Sequence, residues 1–239
     1  MVDQIRSEMP RIGTRKLYHL LKEELDAKQI KLGRDALFSL LRSRRMLVRP
    51  KKRYTKTTDS KHWLKKHPNW AAEFSPTGPE QLFVSDITYV KSRQGVHYLS
   101  LVTDAYSRKI MGYELSDDLG AEATTRALAK AVQNRMTDVA LIHHSDRGIQ
   151  YCSRLYQETL KKHGITPSMT DGYDCYQNAL AERVNGILKD EFLIYRPNTK
   201  QELDKMIEES IRTYNMKRPH QSLGLKMPEQ VHQQVAYKE

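Results

Sequence analysis

Two aspartates, Asp86 and Asp146, lie within or directly after apolar runs that predict strands, and neighbouring strands would bring their carboxylates together. Asp86 interrupts the run LFVSDITYV, which otherwise predicts a central strand, and a carboxylate buried there needs a cation or hydrogen bonds. Asp146 follows a second apolar run, in the segment HHSDRGIQYCS. An aspartate in a turn is common, so this segment alone decides nothing. If the two strands are neighbours, however, the carboxylates repel each other, and a divalent metal is the usual resolution.

A third carboxylate is predicted on a helix. In the segment YQNALAERVNGILKDEFL, Asn178, Glu182, Asn185 and Lys189 fall within about 60° of one another on one helical face. A charged helix face is usually only solvated, so Glu182 becomes a candidate through its combination with the two aspartates. The opposite face would dock on the sheet and carries Leu180, Val184 and Ile187.

The strands and helices that position these residues can be predicted from the sequence patterns. Three strand-like runs with short connections predict an antiparallel meander, and the helical pattern AEATTRALAKAVQNRM comes after them. A strand, a helix, a fifth strand and the helix of Glu182 complete the order β-β-β-α-β-α-β-α. The fourth strand would be reached by a crossover and can lie parallel to the first. The prediction is an α/β domain with a mixed sheet between helices.

The first 60 residues differ from this core in pattern and charge. Leucines at helical spacing predict helices over 14–26 and 36–45, with Leu20 and Leu40 among the inward residues. The pair resembles a helix-turn-helix, although a plain helical hairpin is the alternative. Residues 49–80, rich in Pro, Gly, Ser, Thr and basic side chains, read as a linker.

Charge favours a polyanionic partner. Of the net charge of +11, residues 1–60 carry +9, from 16 Lys and Arg against 7 Asp and Glu. Such a field suits nucleic acid, because each phosphate contact releases counterions; a solubilising surface is the alternative. The candidate DNA contacts in this region are Arg42, Arg44, Arg45, Lys51, Lys52 and Arg53.

Several classes of protein are disfavoured by composition. No apolar run approaches a membrane span, and the N-terminus lacks the core of a secretory signal. Two cysteines, Cys152 and Cys175, are too few for a disulfide framework and predict a reducing cytoplasm. His143 and His144 have no second pair at zinc-ligand spacing, so a structural role is expected for both.

The three carboxylates form a D, D(35)E pattern, with 59 residues between Asp86 and Asp146 and a lysine seven positions after Glu182. This pattern resembles the DDE integrase and transposase superfamily. The segments SDITYV, TDAYSRKIMGYEL, HSDRGIQYCS, QNALAERVNGILKDE and YNMKRPHQSLG are similar to the second-frame (OrfB) transposase of the IS-three family of bacterial insertion sequences. The resemblance covers nearly the whole chain, to Pro228, with Phe83 in a region where the family usually has tryptophan.

The resemblance implies a ribonuclease H-like fold with a five-stranded mixed sheet, in which Asp86, Asp146 and Glu182 hold two Mg²⁺ ions, with Mn²⁺ as a substitute. Two such ions activate an attacking oxygen, first of water and then of a DNA 3′-hydroxyl, and stabilise the leaving one. Lys189 would contact DNA near the cut end, and Asn178 would touch substrate or cap its helix. The implied partners are terminal inverted repeats, target DNA, further copies of the chain and an upstream-frame helix-turn-helix product, in the bacterial cytoplasm at the nucleoid.

The expected organisation is a DNA-binding module (1–48), a basic linker (49–80), a catalytic core (81–195) and a C-terminal helical extension (196–239). Asp104 is expected to cap a turn, Arg147 and Gly148 to shape the loop after Asp146, and Arg218 to lie near DNA with His220. Two other functions stay open at this point: a nuclease that cuts without strand transfer, and a DNA-binding regulator. The sequence lacks the residue sets that are characteristic of tyrosine and serine recombinases.

Overall fold

The computed structural model describes residues 1–49, 64–171 and 178–234, and its core is a mixed sheet. The strands are β1 (Leu82–Ser92), β2 (Gly95–Asp104), β3 (Ile110–Ser116), β4 (Ile142–Ser145) and β5 (Thr166–Met169). Their order in the sheet is β3-β2-β1-β4-β5. β1 pairs antiparallel with β2, and β2 with β3, whereas β4 runs parallel to β1 and β5 parallel to β4. The predicted meander and the parallel fourth strand are therefore confirmed.

Helices cover both faces of the sheet because side chains alternate along each strand. In β2, Leu101 belongs to the apolar cluster that includes α8, and the next residue, Val102, belongs to the cluster that includes α4. Gly112 of β3 lets α4 approach closely, since a Cβ there would lie 2.2 Å from the Ala127 carbonyl oxygen. The helices are α1 (Val2–Glu8), α2 (Thr14–Ala27), α3 (Arg34–Ser43), α4 (Ala121–Gln133), α5 (Ile149–Cys152), α6 (Arg154–Lys162), α7 (Ala179–Ile187), α8 (Lys200–Lys217) and α9 (Pro228–Gln233). Within the described ranges, none of them is long and apolar enough to cross a membrane.

The N-terminal helices pack directly on the core. Leu17 and Leu37 lie in the same apolar cluster as Val184 of α7 and Leu203 of α8. Helix α1 was not predicted, while α2 and α3 match the two predicted helices closely. The prediction that Leu40 faces inward is wrong, because its side chain is 42% exposed: two short helices bury only a narrow stripe around Leu37 and Leu41.

The described part of the predicted linker, residues 64–80, also lies against the core. Leu64 and Phe74 pack at the edges of two apolar clusters, and a 3₁₀ turn spans Trp70–Ala72. The backbone N–H of Met169 in β5 donates to the Pro68 carbonyl at 3.2 Å. This segment therefore covers part of an edge strand that would otherwise expose unpaired backbone groups. Residues 50–63 of the linker lie outside the described residues.

Helix α9 is attached to the sheet by a buried polar cluster. The side chain of His232 lies between Glu80 and Asp104, with Nε2 3.2 Å from Glu80 Oε1 and Nδ1 2.9 Å from Ser107 Oγ. Asp104 Oδ1 accepts hydrogen bonds from the N–H and hydroxyl of Ser107, so the prediction that Asp104 caps this turn is confirmed. All four side chains are fully buried, and the cluster is structural.

Replacing Glu80 by glutamine should remove a pH-dependent part of the stability. Burial alone would raise the pKa of Glu80, but hydrogen bonds from His232, Thr137 and the Met136 N–H lower it to about 2. A depressed carboxyl pKa stabilises the fold above the unfolded value near 4.5, and this stabilisation is lost as the pH falls towards 2. We expect Glu80→Gln to lower the free energy of unfolding by about 2 kcal/mol at pH 7 and to flatten its fall between pH 4.5 and 2. Urea titrations across this range measure it, and two parallel pH profiles would contradict the assignment.

Candidate active site

Asp86 lies in the middle of β1, opposite Leu101 of β2. Its carboxylate Oδ2 accepts a hydrogen bond from Asn185 Nδ2 at 2.8 Å. Burial, the negative charge of Asp146 and, more weakly, that of Glu182 raise the pKa of Asp86 to about 7, although the hydrogen bond from Asn185 lowers it. Asp146 and Glu182 thus both lie close enough to Asp86 to act on its carboxylate electrostatically.

Asp146 directly follows β4, and the loop after it is built around its carboxylate. The Gly148 N–H donates to Asp146 Oδ1 at 2.9 Å. A Cβ at Gly148 would lie 2.9 Å from the same oxygen, so a larger residue there would push the carboxylate aside. The partly buried Arg147 forms an ion pair with Asp171 at 3.9 Å. The expectation that Arg147 and Gly148 shape this loop is confirmed.

Helix α7 brings the third carboxylate and aims most of its predicted polar face at β1. Glu182 is exposed in the first turn, whereas Asn185 is buried against Asp86. Asn178 occupies the N-cap position, but its side chain makes no capping hydrogen bond to α7. Its Nδ2 instead donates to the Ser85 carbonyl at 2.9 Å. In the π-helical turn Leu188–Phe192 that continues α7, Lys189 Nζ donates to Thr88 Oγ1 at 2.9 Å. The helix docks through Val184 and Ile187 as predicted and through Ala181, while Leu180 is only partly buried.

Two groups near the aspartates were not anticipated from the sequence. Asn185 was placed on the correct helix face without a role, although it is the hydrogen-bond partner of Asp86. Tyr151 is fully buried behind the site, and burial, Tyr156, Asp86 and Asp146 together raise the pKa of its phenol well above the usual value. Tyr151 follows Asp146 by five residues in a run without clear periodicity, so no sequence signal marked it.

The donor chemistry of the site fits a hard divalent cation. Carboxylate oxygens are the ligands that Mg²⁺ prefers, and a cation would offset the burial and the repulsion that raise the pKa of Asp86. Across residues 1–49, 64–171 and 178–234, no three His, Cys, Asp or Glu side chains stand close enough together to make a complete metal site. Asp86 and Asp146 are the more strongly coupled pair, and Glu182 acts on Asp86 more weakly.

The remaining predicted residues differ in where they lie. Arg42, Arg44 and Arg45 are exposed at the end of α3, and the Arg42 guanidinium lies 4.9 Å from the centre of the Phe38 ring. Lys51, Lys52 and Arg53 lie outside the described residues. The expectation that Arg218 lies near DNA is wrong: its guanidinium is buried and makes two 2.8 Å hydrogen bonds to the carboxylate of Glu191.

His143 and His144 serve the packing of the sheet, as expected. His143 Nε2 lies 2.8 Å from Ser85 Oγ and 2.9 Å from the Tyr156 hydroxyl, and His144 Nδ1 lies 2.9 Å from Ser168 Oγ. Burial lowers the pKa of His143 to about 3, so its ring is neutral at physiological pH. Phe83, in the region where the family usually has tryptophan, is fully buried in an apolar cluster of the core.

Asp86→Asn should stabilise the metal-free protein at alkaline pH. A carboxyl pKa raised in the folded state makes the free energy of unfolding fall as the pH rises from about 4 to about 7. The neutral amide escapes this cost, so we expect a gain of about 2 kcal/mol at pH 8, after allowing for partial solvent screening, and little gain at pH 4. Thermal unfolding in EDTA measures it, and added Mg²⁺ should raise the Tm of the wild type but not of the variant. A variant less stable than the wild type at pH 8 would contradict the predicted repulsion.

The mixed sheet and the acidic residues on β1, after β4 and on α7 define a ribonuclease H-like integrase core. A family model described as "Integrase core domain" matches residues 76–175, and a second of the same description matches residues 163–228. The chain also resembles the magnesium-bound catalytic core of the HTLV-2 integrase in its trimeric form. That similarity has a TM-score of 0.54 and 23% identity, and it covers 66% of this chain and 99% of the other.

Curated relatives identify the family within this class. The chain is 36% identical to the "Insertion element IS600 uncharacterized 31 kDa protein" of Shigella sonnei, over 98% of this chain and 89% of the relative. It is 32% identical to "Transposase InsF for insertion sequence IS3A" of Escherichia coli, over 72% of this chain and 60% of the relative. The chain belongs to the IS3 family of insertion-sequence transposases, which carry a DDE-type, retroviral integrase-like core.

Proposed function

We propose that the protein cleaves DNA at the ends of a bacterial insertion sequence and joins the freed 3′ ends to target DNA, with Mg²⁺ as its cofactor. The observation that carries this proposal is the position of Asp86 in the middle of β1, where burial and the charges of Asp146 and Glu182 raise the pKa of its carboxyl. Repelling carboxylates around a buried strand lower the stability of the fold compared with neutral residues, which indicates a chemical role for them.

Different residues of the chain would hold the cofactor, orient its ligands and contact the DNA. Bound there, two Mg²⁺ ions, or Mn²⁺ in their place, would activate the attacking oxygen and stabilise the leaving one. Asn185 fixes the carboxylate of Asp86, and the Gly148 N–H fixes that of Asp146, so the two oxygen donors are oriented before any ligand arrives. Glu182, exposed on α7, would complete the ligand set. Lys189, in the turn that continues α7, is partly exposed beside β1, and we propose that it contacts DNA near the cut. Asn178 is buried against β1, where its Nδ2 holds the Ser85 carbonyl next to Asp86.

The surroundings support a DNA substrate. The exposed Arg42, Arg44 and Arg45, together with the basic residues Lys51, Lys52 and Arg53 that follow in the sequence, would attract the phosphate backbone. Pairing two element ends requires more than one copy of the chain, and we propose a homo-oligomeric complex in the bacterial cytoplasm, at the nucleoid. An upstream-frame helix-turn-helix product is proposed as a further partner for recognising the terminal inverted repeats.

The test is nicking and joining of plasmid DNA by the purified chain. Supercoiled plasmid carrying the element ends is incubated with Mg²⁺, Mn²⁺, Ca²⁺ or EDTA, and Asp86→Asn prepared in parallel controls for contaminating nucleases. We expect nicked and joined products with Mg²⁺ and Mn²⁺ only, and none from the variant. Nicks without joined products would indicate a nuclease. DNA binding without nicks, also after fusion to the upstream-frame product, would indicate a regulator.

A further inference from the structure

The segment 64–74 lies next to the catalytic loop, although it is distant from it in sequence. Asn69 Nδ2 donates to Asp171 Oδ2 at 3.2 Å, and Asp171 forms the ion pair with Arg147, the neighbour of Asp146. The positive charge of Lys66 acts on the buried thiol of Cys152, as do the charges of Asp146 and Arg147. Residues 64–74 therefore form one border of the active site.

Within this border, Trp70 is held with its indole in solvent. Its side chain is 54% exposed, which is unusual for tryptophan because burying so large an apolar surface is favourable. The backbone around it is fixed: the Ala71 N–H donates to Ser168 Oγ at 3.2 Å, and the Ala72 N–H donates to Asn69 Oδ1 at 3.1 Å. Phe74 packs against the core and anchors the other end of the turn. The exposed indole is thus presented by a rigid support.

The basic residues beside Trp70 indicate what the indole would meet. Lys65 and Lys66 precede it closely in the sequence, and both side chains are exposed. A surface that combines an exposed aromatic ring with lysines and adjoins a phosphodiester-cleaving site suits a single strand of DNA. Bases stack on aromatic rings with little regard to sequence, and lysines hold the phosphates.

We propose that Trp70 stacks on an unpaired base of the DNA strand that enters the active site. Stacking would hold the strand end open, so that the scissile phosphate reaches Asp86 and Asp146 without the complementary strand in the way. The proposal rests on the proposed function, since it gives that site a feature for recognising frayed or single-stranded DNA. It adds a binding contact outside the carboxylates and the basic helices.

Tryptophan fluorescence tests the contact directly, because the chain has two tryptophans, Trp63 and Trp70. In a Trp63→Phe background, emission comes from Trp70 alone. The protein is titrated in EDTA, so that no DNA is cut, with a blunt duplex and with the same duplex carrying a short unpaired 3′ extension. We expect saturable quenching by the extended duplex and little by the blunt one. Equal emission changes with both DNAs would overturn the proposal.

Affinity measurements supply a second, independent readout. A stacked base contributes about 1–3 kcal/mol, so Trp70→Ala should weaken binding of the extended duplex about tenfold and that of the blunt duplex less than about twofold. Trp70→Phe should recover part of the loss. Tyr195→Ala is the matched control, since Tyr195 is a 72% exposed aromatic residue beside Arg196, which is attached to the far end of β1 at Ser92. An equal loss for both DNAs, or a loss as large for Tyr195→Ala, would overturn the proposal.

A failure of the stacking contact can be distinguished from a failure of the proposed function. Metal-dependent nicking by the wild type, with unchanged DNA preference in Trp70→Ala, would refute the stacking contact and leave the function standing. Stacking without any metal-dependent nicking would refute the function and leave a single-strand contact. Circular dichroism of each variant shows whether its fold is intact, and Trp70→Phe provides the test if Trp70→Ala proves unstable.

Discussion

Glu182→Gln should lower metal-dependent nicking about a thousandfold or more, while DNA affinity stays within about twofold of the wild type. The glutamine side chain has the same size and remains compatible with the exposed first turn of α7, so the helix has no reason to move. What it loses is the negative charge and one oxygen donor for a hard cation. Removing a negative charge near phosphates cannot weaken DNA binding electrostatically.

The measurement pairs initial nicking rates with equilibrium binding at one fixed salt concentration. Glu158→Gln is the matched control, because Glu158 is an exposed helical glutamate that pairs with Arg154 at the surface of α6. The control should retain full activity. Activity of Glu182→Gln within about tenfold of the wild type would remove Glu182 from the catalytic set, and the mechanism would then need another third ligand.

Glu191→Gln should lower the free energy of unfolding by about 3–5 kcal/mol. Glu191 accepts two hydrogen bonds from Arg218, and Lys16 Nζ lies 2.9 Å from the same carboxylate. Both cations are nearly buried, with side-chain exposures of 3% for Arg218 and 10% for Lys16. A neutral amide would leave these two positive charges without their shared counter-ion in a medium that solvates them poorly.

Urea denaturation of the two proteins at neutral pH gives the comparison. Glu24→Gln is the control, since Glu24 pairs with Lys28 on the exposed face of α2 and exposed pairs contribute little. Its midpoint should not differ measurably from that of the wild type. A small effect of Glu191→Gln would mean that water or another anion compensates the cations, and that the N-terminal helices are not attached to the core through this carboxylate.

The sequence predicted the parts of the fold that depend on local pattern. Strand alternation and short connections identified the meander, and the crossover over α4 placed β4 beside β1. The site followed from the same logic, because an aspartate inside an apolar strand is costly and therefore informative. Helical spacing also grouped Asn185 and Lys189 on one helical face, although their contacts with β1 were not predicted.

Buried polar contacts between distant residues could not be predicted from the sequence. Arg218 belongs to a basic segment, KRPH, that looks like a DNA contact, and only the fold reveals its partner Glu191, 27 residues away. Likewise, Glu80 and His232 are separated by 152 residues and have no periodic relation. Buried polar pairs of this kind depend on which helix ends meet, and a single sequence does not encode that in a readable pattern.

The cluster of Glu80, Asp104 and His232 has a consequence for how the protein is made. Glu80 precedes β1, so it leaves the ribosome long before residue 232 does. Until α9 emerges, the nascent chain holds two carboxylates at the base of its sheet without their imidazole partner. Docking of α9 is thus a late step of co-translational folding, and a chain terminated prematurely before His232 would keep that end of the catalytic core open to chaperones and proteases.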